Sequence, residues 1–225
     1  MPVAEPMLLF LSIALAYVSG SLSGSLLLGR LVGVDIRQSG SGNAGGTNAL
    51  RTRGWKFALG VVLIDIGKGI LAAWVPVWLG AGTASQAWAQ AACVLAAVAG
   101  HVWPVFFGFR GGKGAATLIG GLAVIWPLAL PVVLAVWVVM LVATGYVGLS
   151  TIVACAALVP LAWMPIEAIS PSRIAFALAA ASLILYTHRS NLQRLRAGNE
   201  HRFERVRLLA RSRKRRVTDS PRPED

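Results

Sequence analysis

The sequence predicts an all-α integral membrane protein of about seven transmembrane helices, with its N-terminus outside and its C-terminus in the cytoplasm. Of the 225 residues, 56% are hydrophobic and only 13% are charged, which leaves too little polar surface for a soluble domain of this size. The apolar residues also occur in long runs, and a run of about 18 or more is typical of a helix that crosses a bilayer. The composition therefore indicates one membrane domain rather than a soluble core with an anchor.

The apolar runs give the order of the spans. Four of them are distinct, and we place them at residues 7–29, 55–79, 87–105 and 174–186. Residues 115–164 are almost uniformly apolar, so proline and glycine mark the helix breaks expected in the second half of the chain. These breaks fall near residues 126–131, 144–148 and 165–171. No Lys or Arg precedes the first apolar run, which we interpret as a retained span rather than a signal peptide.

The net charge of +12 is concentrated in three segments. Twelve of the 21 basic residues lie at or after Arg189, and most of the others lie in the loops after the first and third spans. The positive-inside rule places all three segments in the cytoplasm. An even number of crossings must then join Lys113 to the tail, and four fit the roughly 74 intervening residues better than two. Seven spans follow, with five as the alternative.

We divide the chain into a membrane domain over residues 1–203 and a basic, disordered cytoplasmic tail over residues 204–225. Beside so hydrophobic a body, the tail is expected to contact anionic lipid rather than nucleic acid.

The loop after the first span is rich in glycine and in neutral polar residues. It reads Ser39-Gly-Ser-Gly-Asn-Ala-Gly-Gly-Thr-Asn48 and is followed by Arg51. Glycine lets backbone N–H groups approach an anion closely, and the arginine fork suits phosphate or carboxylate. A flexible linker has no need of these polar side chains, so we predict a binding site. Its hydrogen-bonding side chains are those of Ser41, Asn43, Thr47 and Asn48.

The loop after the third span contains a second cluster of glycines around a lysine. It reads Gly100-His101-Val-Trp-Pro104, then Phe109-Arg-Gly-Gly-Lys-Gly-Ala-Ala-Thr117. The glycines can form an anion cradle around Lys113, and the helix that follows offers free N–H groups at its N-terminus. The spacing does not match a nucleotide-binding P-loop. A basic turn that only sets topology is the alternative interpretation.

A third polar cluster follows the last span. His188, Asn191 and Arg194 are spaced by three residues, so they share one face of a helix, and Glu200 follows. The histidine is a base, a hydrogen-bond donor or an interfacial residue, and its position alone does not choose among these roles.

Two charged residues lie inside the second span. Asp65 and Lys68 are one helical turn apart, and charges at this depth pair with each other or line a polar cavity. Both interpretations remain open for this pair. The spacing of Cys and His matches no metal site, so no metal and no cofactor are expected.

The three polar motifs, in this order and together with Asp65-Ile-Gly-Lys68-Gly, resemble the acyl-phosphate-dependent glycerol-3-phosphate acyltransferases, the PlsY family. The resemblance extends from the first span to Phe203. It implies a seven-span enzyme of the bacterial inner membrane with its site facing the cytoplasm. Such an enzyme transfers a fatty acyl group from acyl phosphate to the first hydroxyl of glycerol 3-phosphate, giving lysophosphatidic acid and phosphate in phospholipid biosynthesis.

The resemblance also implies the roles of single residues. The catalytic positions are Ser41, Arg51, Lys113, His188 and Asn191. The substrate-binding positions are Asn43, Thr47, Asn48, His101, Gly111, Gly112, Gly114, Thr117, Ser150, Arg194 and Glu200. Gly148 stands where the family often has serine, and Ser150 or Thr151 is expected to replace it.

The expected partners are the two substrates, the lipid bilayer and the enzyme that makes acyl phosphate, with no nucleic acid. The main alternative is a transporter of a phosphorylated metabolite, which would use the same anion cradles but would need polar residues along its whole path.

Overall fold

The computed structural model describes residues 4–82, 85–164 and 169–203, and within these ranges it contains helices and no strand. The all-α prediction is therefore confirmed for this part of the chain. In order, the helices are α1 (Ala4–Gly20), α2 (Gly24–Leu31), α3 (Gly46–Arg53), α4 (Trp55–Trp78), α5 (Gln86–Val102), α6 (Ala115–Ile125), α7 (Ala129–Thr144), α8 (Val147–Ala156), α9 (Leu158–Ala162), α10 (Pro171–Thr187) and α11 (Arg189–Arg196). Short 3-10 turns cover Ile36–Gln38 and Val105–Phe107.

The long apolar helices correspond to the predicted spans. Helices α4 and α5 are long and apolar enough to cross a membrane, and α1 with α2 makes a third candidate if the bent pair is one span. Helices α6, α7 and α10, and α8 together with α9, form shorter apolar segments. The count of seven and the orientation of the termini remain predictions.

Two of the three breaks expected in the second half of the chain occur where the sequence places them. Helix α6 ends before Trp126, and α7 ends at Thr144, followed by Gly145, whose φ of 79° lies in the left-handed region that favours glycine. Part of the third break, over residues 165–168, lies outside the described residues, as does the predicted tail over residues 204–225.

The first span, predicted over residues 7–29, is divided between the two helices α1 and α2. The chain bends by 47° between α1 and α2, at a stretch of glycine and serine. The bend leaves helix-end backbone groups unpaired, and a second helix satisfies them. Lys68 Nζ on α4 donates to the carbonyl oxygens of Gly20 (2.8 Å) and Leu22 (3.3 Å), and the Gly24 N–H donates to Asp65 Oδ1 (3.0 Å).

These hydrogen bonds give Asp65 and Lys68 a structural role. The two side chains are buried and 3.0 Å apart, so they form an ion pair. The same pair hydrogen-bonds the backbone groups that the bend between α1 and α2 leaves free. Asp65 also lines a cavity bounded by the polar loops, so its structural role and its cavity role coexist.

Close backbone contacts hold the central helices α1, α4, α5 and α6 together. A Cβ at Gly69 or Gly120 would overlap the backbone of the opposite helix, across the α4–α6 contact. Such contacts are typical of helix packing in membranes. Beneath the polar loops, a separate buried cluster that includes Ile36, Val61 and Phe107 gives the loops a packed base.

Candidate active site

A cavity of about 620 Å³ lies where the three polar segments meet. Twelve of the predicted site residues line it: Ser41, Asn43, Thr47, Asn48, Arg51, His101, Lys113, Gly114, His188, Asn191, Arg194 and Glu200. Residues distant in sequence are thus brought to one place, including all five predicted catalytic residues.

One carboxylate organises the polar end of the cavity. Glu200 accepts hydrogen bonds from Asn191 Nδ2 (2.6 Å, to Oε1) and from Arg194 Nε (2.7 Å, to Oε2). Lys113 Nζ donates to Asn191 Oδ1. Asn191 therefore links the lysine of the second loop to the carboxylate that follows α11. Both of its amide atoms are engaged, which fixes the orientation of its side chain.

Arg51 reaches the cavity from α3. Its guanidinium lies over the ring of Phe203, 5.0 Å from the centroid, and its Nε is buried with no hydrogen-bond partner among the described residues. Burial lowers the pKa of Arg51, but an arginine stays charged at any physiological pH. A buried, unmatched donor of this kind suits an anionic ligand.

The cavity carries an excess of positive charge. Arg51, Lys113 and Arg194 are cations, and Glu200 is the carboxylate that faces them; Asp65 is already paired with Lys68. Burial, and then the nearby Arg194, lower the pKa of Lys113 to about 8. At pH 7 the lysine is therefore mostly protonated, and an anion beside it would be bound most strongly in that form.

His188 lies directly after α10 and is buried. Its Nδ1 is 2.9 Å from the carbonyl oxygen of Ile184, which can only accept, so Nδ1 carries the proton and Nε2 is left with a lone pair. Burial, and then Lys113, lower the pKa of His188 to about 4. The imidazole is therefore neutral at physiological pH and available as a hydrogen-bond acceptor.

The first loop is shaped by Asn48. This buried amide donates to the carbonyl oxygens of Ile36 (3.1 Å) and Ser39 (3.0 Å) and accepts the backbone N–H of Ser41 (2.9 Å). Asn48 thus holds the loop in its curved form, although its side chain was predicted to contact substrate. The N-termini of both α3 and α6 reach the cavity, which favours negative charge there.

Four predicted contact residues do not line the cavity: Gly111, Gly112, Thr117 and Ser150. The N–H groups of the two glycines are already used, because they donate to the carbonyl oxygens of Val102 and His101 at 3.1 Å. They allow the loop to pack closely against α5 rather than offering free donors to an anion.

The other two residues of this group face into the protein. Thr117 is buried at the contact between α4 and α6, and the Ser150 hydroxyl donates to the carbonyl oxygen of Tyr146 at 2.8 Å. Thr151, the alternative to Ser150, does line the cavity. Gly148 lines it too, and a Cβ there would overlap the side chain of Asn191.

His101 belongs to the buried ion-pair network. Its Nδ1 lies 2.8 Å from Lys68 Nζ and 3.3 Å from Asp65 Oδ1. A Cβ at Gly112 would meet the other ring nitrogen, so the imidazole supports the second loop from beneath.

An apolar groove continues from the polar cavity. It has a volume of about 170 Å³, and it shares Ala115, Ile119, Trp137 and Thr151 with the polar cavity. Its remaining lining side chains are mostly aliphatic: Leu118, Leu122, Val133, Leu134, Ala154, Cys155, Leu158 and Ile184. This groove could not be predicted from the sequence, because apolar residues that line a groove cannot be told from apolar residues that face lipid.

Residues 10–198 match the family model described as glycerol-3-phosphate acyltransferase. The chain belongs to this family. Among curated glycerol-3-phosphate acyltransferases, the protein of Pseudomonas paraeruginosa is 42% identical over 191 residues, which are 84% of this chain and 96% of the relative. That of Chlorobaculum parvum is 39% identical, over 88% of this chain and 97% of the relative.

Two crystal structures of PlsY, an integral membrane glycerol 3-phosphate acyltransferase, have the same fold. The glycerol 3-phosphate form superposes with a TM-score of 0.78 at 34% identity, covering 87% of this chain and 95% of that one. The lysophosphatidic acid form gives a TM-score of 0.77 at 32% identity, over 90% and 98%. The resemblance to the PlsY family and the prediction of an integral membrane protein are confirmed.

Proposed function

We propose that the protein transfers a fatty acyl group from acyl phosphate to the 1-hydroxyl of glycerol 3-phosphate. The products are 1-acylglycerol 3-phosphate (lysophosphatidic acid) and inorganic phosphate, and the site faces the cytoplasm at the bacterial inner membrane. The observation that carries this proposal is a cavity with three cations against one carboxylate that continues into an apolar groove. A phosphorylated headgroup and a fatty chain require these two environments side by side.

The net positive charge of the cavity favours a phosphate-bearing ligand. A phosphate monoester carries about −1.5 to −2 charges at pH 7, which the excess of two positive charges among Arg51, Lys113, Arg194 and Glu200 would offset. We place the phosphate of glycerol 3-phosphate against Lys113 and the N-terminus of α6. The buried Nε of Arg51 suits the second phosphate, that of the acyl donor.

The chemical step is a direct transfer. The 1-hydroxyl oxygen attacks the acyl carbonyl carbon, the bond from that carbon to the phosphate oxygen breaks, and the phosphate leaves with the hydroxyl proton. Lys113 and Arg51 stabilise the negative charge that develops on the carbonyl oxygen. Because acyl phosphate is already activated, holding both substrates in line supplies much of the rate.

His188 orients the attacking hydroxyl in this proposal. Its neutral Nε2 accepts a hydrogen bond from the hydroxyl. With a pKa of about 4, His188 holds a proton less well than phosphate, whose second pKa is about 6. The proton therefore ends on the departing phosphate. Acyl label bound covalently to Ser41 would contradict direct transfer.

The transporter alternative requires a polar path through the bilayer. Beyond the polar cavity, the connected groove is lined by residues such as Leu122, Val133 and Leu158, which would bind an acyl chain but not a phosphorylated metabolite. The site geometry therefore favours the acyltransferase.

Phosphate release by the purified protein tests the proposal. Given palmitoyl phosphate, we expect release that depends on glycerol 3-phosphate and that is lost in Lys113→Ala. Lys56→Ala is the matched control, because Lys56 is an exposed lysine that does not line the cavity. Release that is equal with and without glycerol 3-phosphate, or a folded Lys113→Ala variant with full activity, would contradict the proposal.

A further inference from the structure

A half-buried ion pair, which we call the clasp, is formed by Asp35 and Arg37 and joins the start of the first polar loop to the second. Asp35 and Arg37 flank Ile36 at the 3-10 turn Ile36–Gln38, just before the first loop. Arg37 Nε lies 2.9 Å from Asp35 Oδ1 and Nη2 lies 2.7 Å from Oδ2, while Oδ1 also accepts the Arg37 backbone N–H at 2.9 Å. These hydrogen bonds from Arg37 hold the pKa of Asp35 below its ordinary value, so the carboxylate stays charged.

The other edge of the same guanidinium is attached to the second loop. Arg37 Nη1 donates to the carbonyl oxygens of Phe107 (3.0 Å) and Arg110 (2.9 Å). The carbonyl of Arg110 is the last one before the Gly111-Gly112-Lys113 sequence. Four of the five N–H groups of Arg37 are therefore engaged with protein oxygens, which leaves this arginine poorly suited to bind a ligand.

The side chains packed beneath the clasp fix the distance between the first and the second polar loop. Ile36 and the Phe107 side chain belong to one buried cluster, so both attachment points rest on the same base. Arg30 adds to this, with Nη2 3.3 Å from the Phe106 carbonyl oxygen and its guanidinium 4.2 Å from the centre of the Phe107 ring. A solvent-accessible ion pair such as this half-buried one contributes little to stability by itself. Reaction rates, in contrast, are sensitive to displacements of about 1 Å.

We propose that Asp35 and Arg37 are positioning residues, which hold the loop of Lys113 in register with the loop of Ser41 and Arg51. Neither Asp35 nor Arg37 lines the cavity; the clasp acts through the backbone of the second loop. This inference rests on the proposed function, because it concerns the relative placement of groups that act on two substrates at once.

Steady-state kinetics of Arg37→Lys and Arg37→Ala test the inference. Lysine keeps the charge but cannot make the two-sided contact of a planar fork. We expect KM for glycerol 3-phosphate to rise and kcat to fall, with kcat/KM for glycerol 3-phosphate lowered at least about tenfold. KM for palmitoyl phosphate should stay within about twofold, because the apolar groove is lined by none of the residues that Asp35 and Arg37 contact.

Arg110→Ala is the matched control. It removes an exposed arginine from the same loop and leaves the backbone carbonyl that Arg37 binds, so its kinetics should equal those of the wild type. Asp35→Asn should reproduce the Arg37→Lys result.

A wild type with no glycerol 3-phosphate-dependent activity would overturn the proposed function itself, whatever the variants do.

Three results in an active wild type would overturn the inference alone. The first is Arg37→Lys kinetics equal to those of Arg110→Ala. The second is a fall in kcat with both KM values unchanged, which indicates a smaller active fraction. The third is loss of folding in both Arg37 variants, which would assign the pair to overall stability.

Discussion

The lowered pKa of Lys113 predicts an alkaline limit to the reaction. Burial and the neighbouring Arg194 lower this pKa to about 8, against about 10.4 for a free lysine. Above pH 8 the free enzyme loses the charge that binds phosphate, so at pH 9 only about a tenth of the molecules keep it. We therefore expect kcat/KM for glycerol 3-phosphate to fall about tenfold for each pH unit above 8.

The variant Lys113→Arg provides the control for this limit. An arginine stays charged across the whole range, so the limb near pH 8 should disappear even if the activity is lower throughout. The assay is initial phosphate release between pH 6.5 and 10, with spontaneous hydrolysis of palmitoyl phosphate subtracted. The second pKa of a phosphate monoester is about 6, so glycerol 3-phosphate adds no limb of its own near or above pH 8.

The pH profiles of the wild type and of Lys113→Arg together test whether Lys113 sets the alkaline limit. A wild-type profile that stays flat to pH 10 would mean that Lys113 is not the group whose charge binds phosphate. The same limb in Lys113→Arg would assign the titration to another group. A bound dianion stabilises the protonated lysine, so the limb in kcat should lie at higher pH than the limb in kcat/KM.

Three further predictions concern the support of the site. Glu200→Gln should weaken the charge-assisted hydrogen bonds from Asn191 and Arg194, each worth about 1.5–3 kcal/mol, and lower the unfolding temperature measured in detergent; an unchanged temperature would contradict this role. Gly148→Ala should displace the Asn191 side chain and reduce kcat more than tenfold, with unchanged kinetics as the opposing result. Lys68→Met should destabilise the fold by about 3–5 kcal/mol, because it removes the cation paired with the buried Asp65 and the donor to the Gly20 and Leu22 carbonyl oxygens. Adding Asp65→Asn should restore part of that stability, and further loss in the double variant would contradict the ion-pair interpretation.

The sequence predicts the helix breaks of the second half of the chain because local chemistry causes them. Proline and glycine near residues 127–131 and 145 disfavour continuation of a helix through their own backbone chemistry, and helices end at both places. The bend in the first span is different in kind. Its freed backbone groups are stabilised by Asp65 and Lys68 of another helix, and contacts of that kind cannot be deduced from the residues at the bend.

The site shows the same division between local and distant causes. The loops rich in glycine and polar residues were predicted from the sequence because such residues are unusual beside apolar spans, and in the structure these loops line one cavity. Which of two neighbouring side chains faces the cavity depends on helix rotation, about 100° per residue, so Ser150 and Thr151 could not be distinguished. From the sequence, the N–H groups of Gly111 and Gly112 are expected to be free to bind an anion. In the structure they donate to carbonyl oxygens of α5 instead.

Identification of the products tests the central claim most directly. Purified protein would be given palmitoyl phosphate and glycerol 3-phosphate, and lysophosphatidic acid and phosphate would be quantified in the same reaction. We predict 1-palmitoylglycerol 3-phosphate and phosphate in equal amounts, with neither formed above background when glycerol 3-phosphate is omitted. Phosphate without lysophosphatidic acid, or lysophosphatidic acid formed without phosphate release, would contradict direct acyl transfer from acyl phosphate at this site.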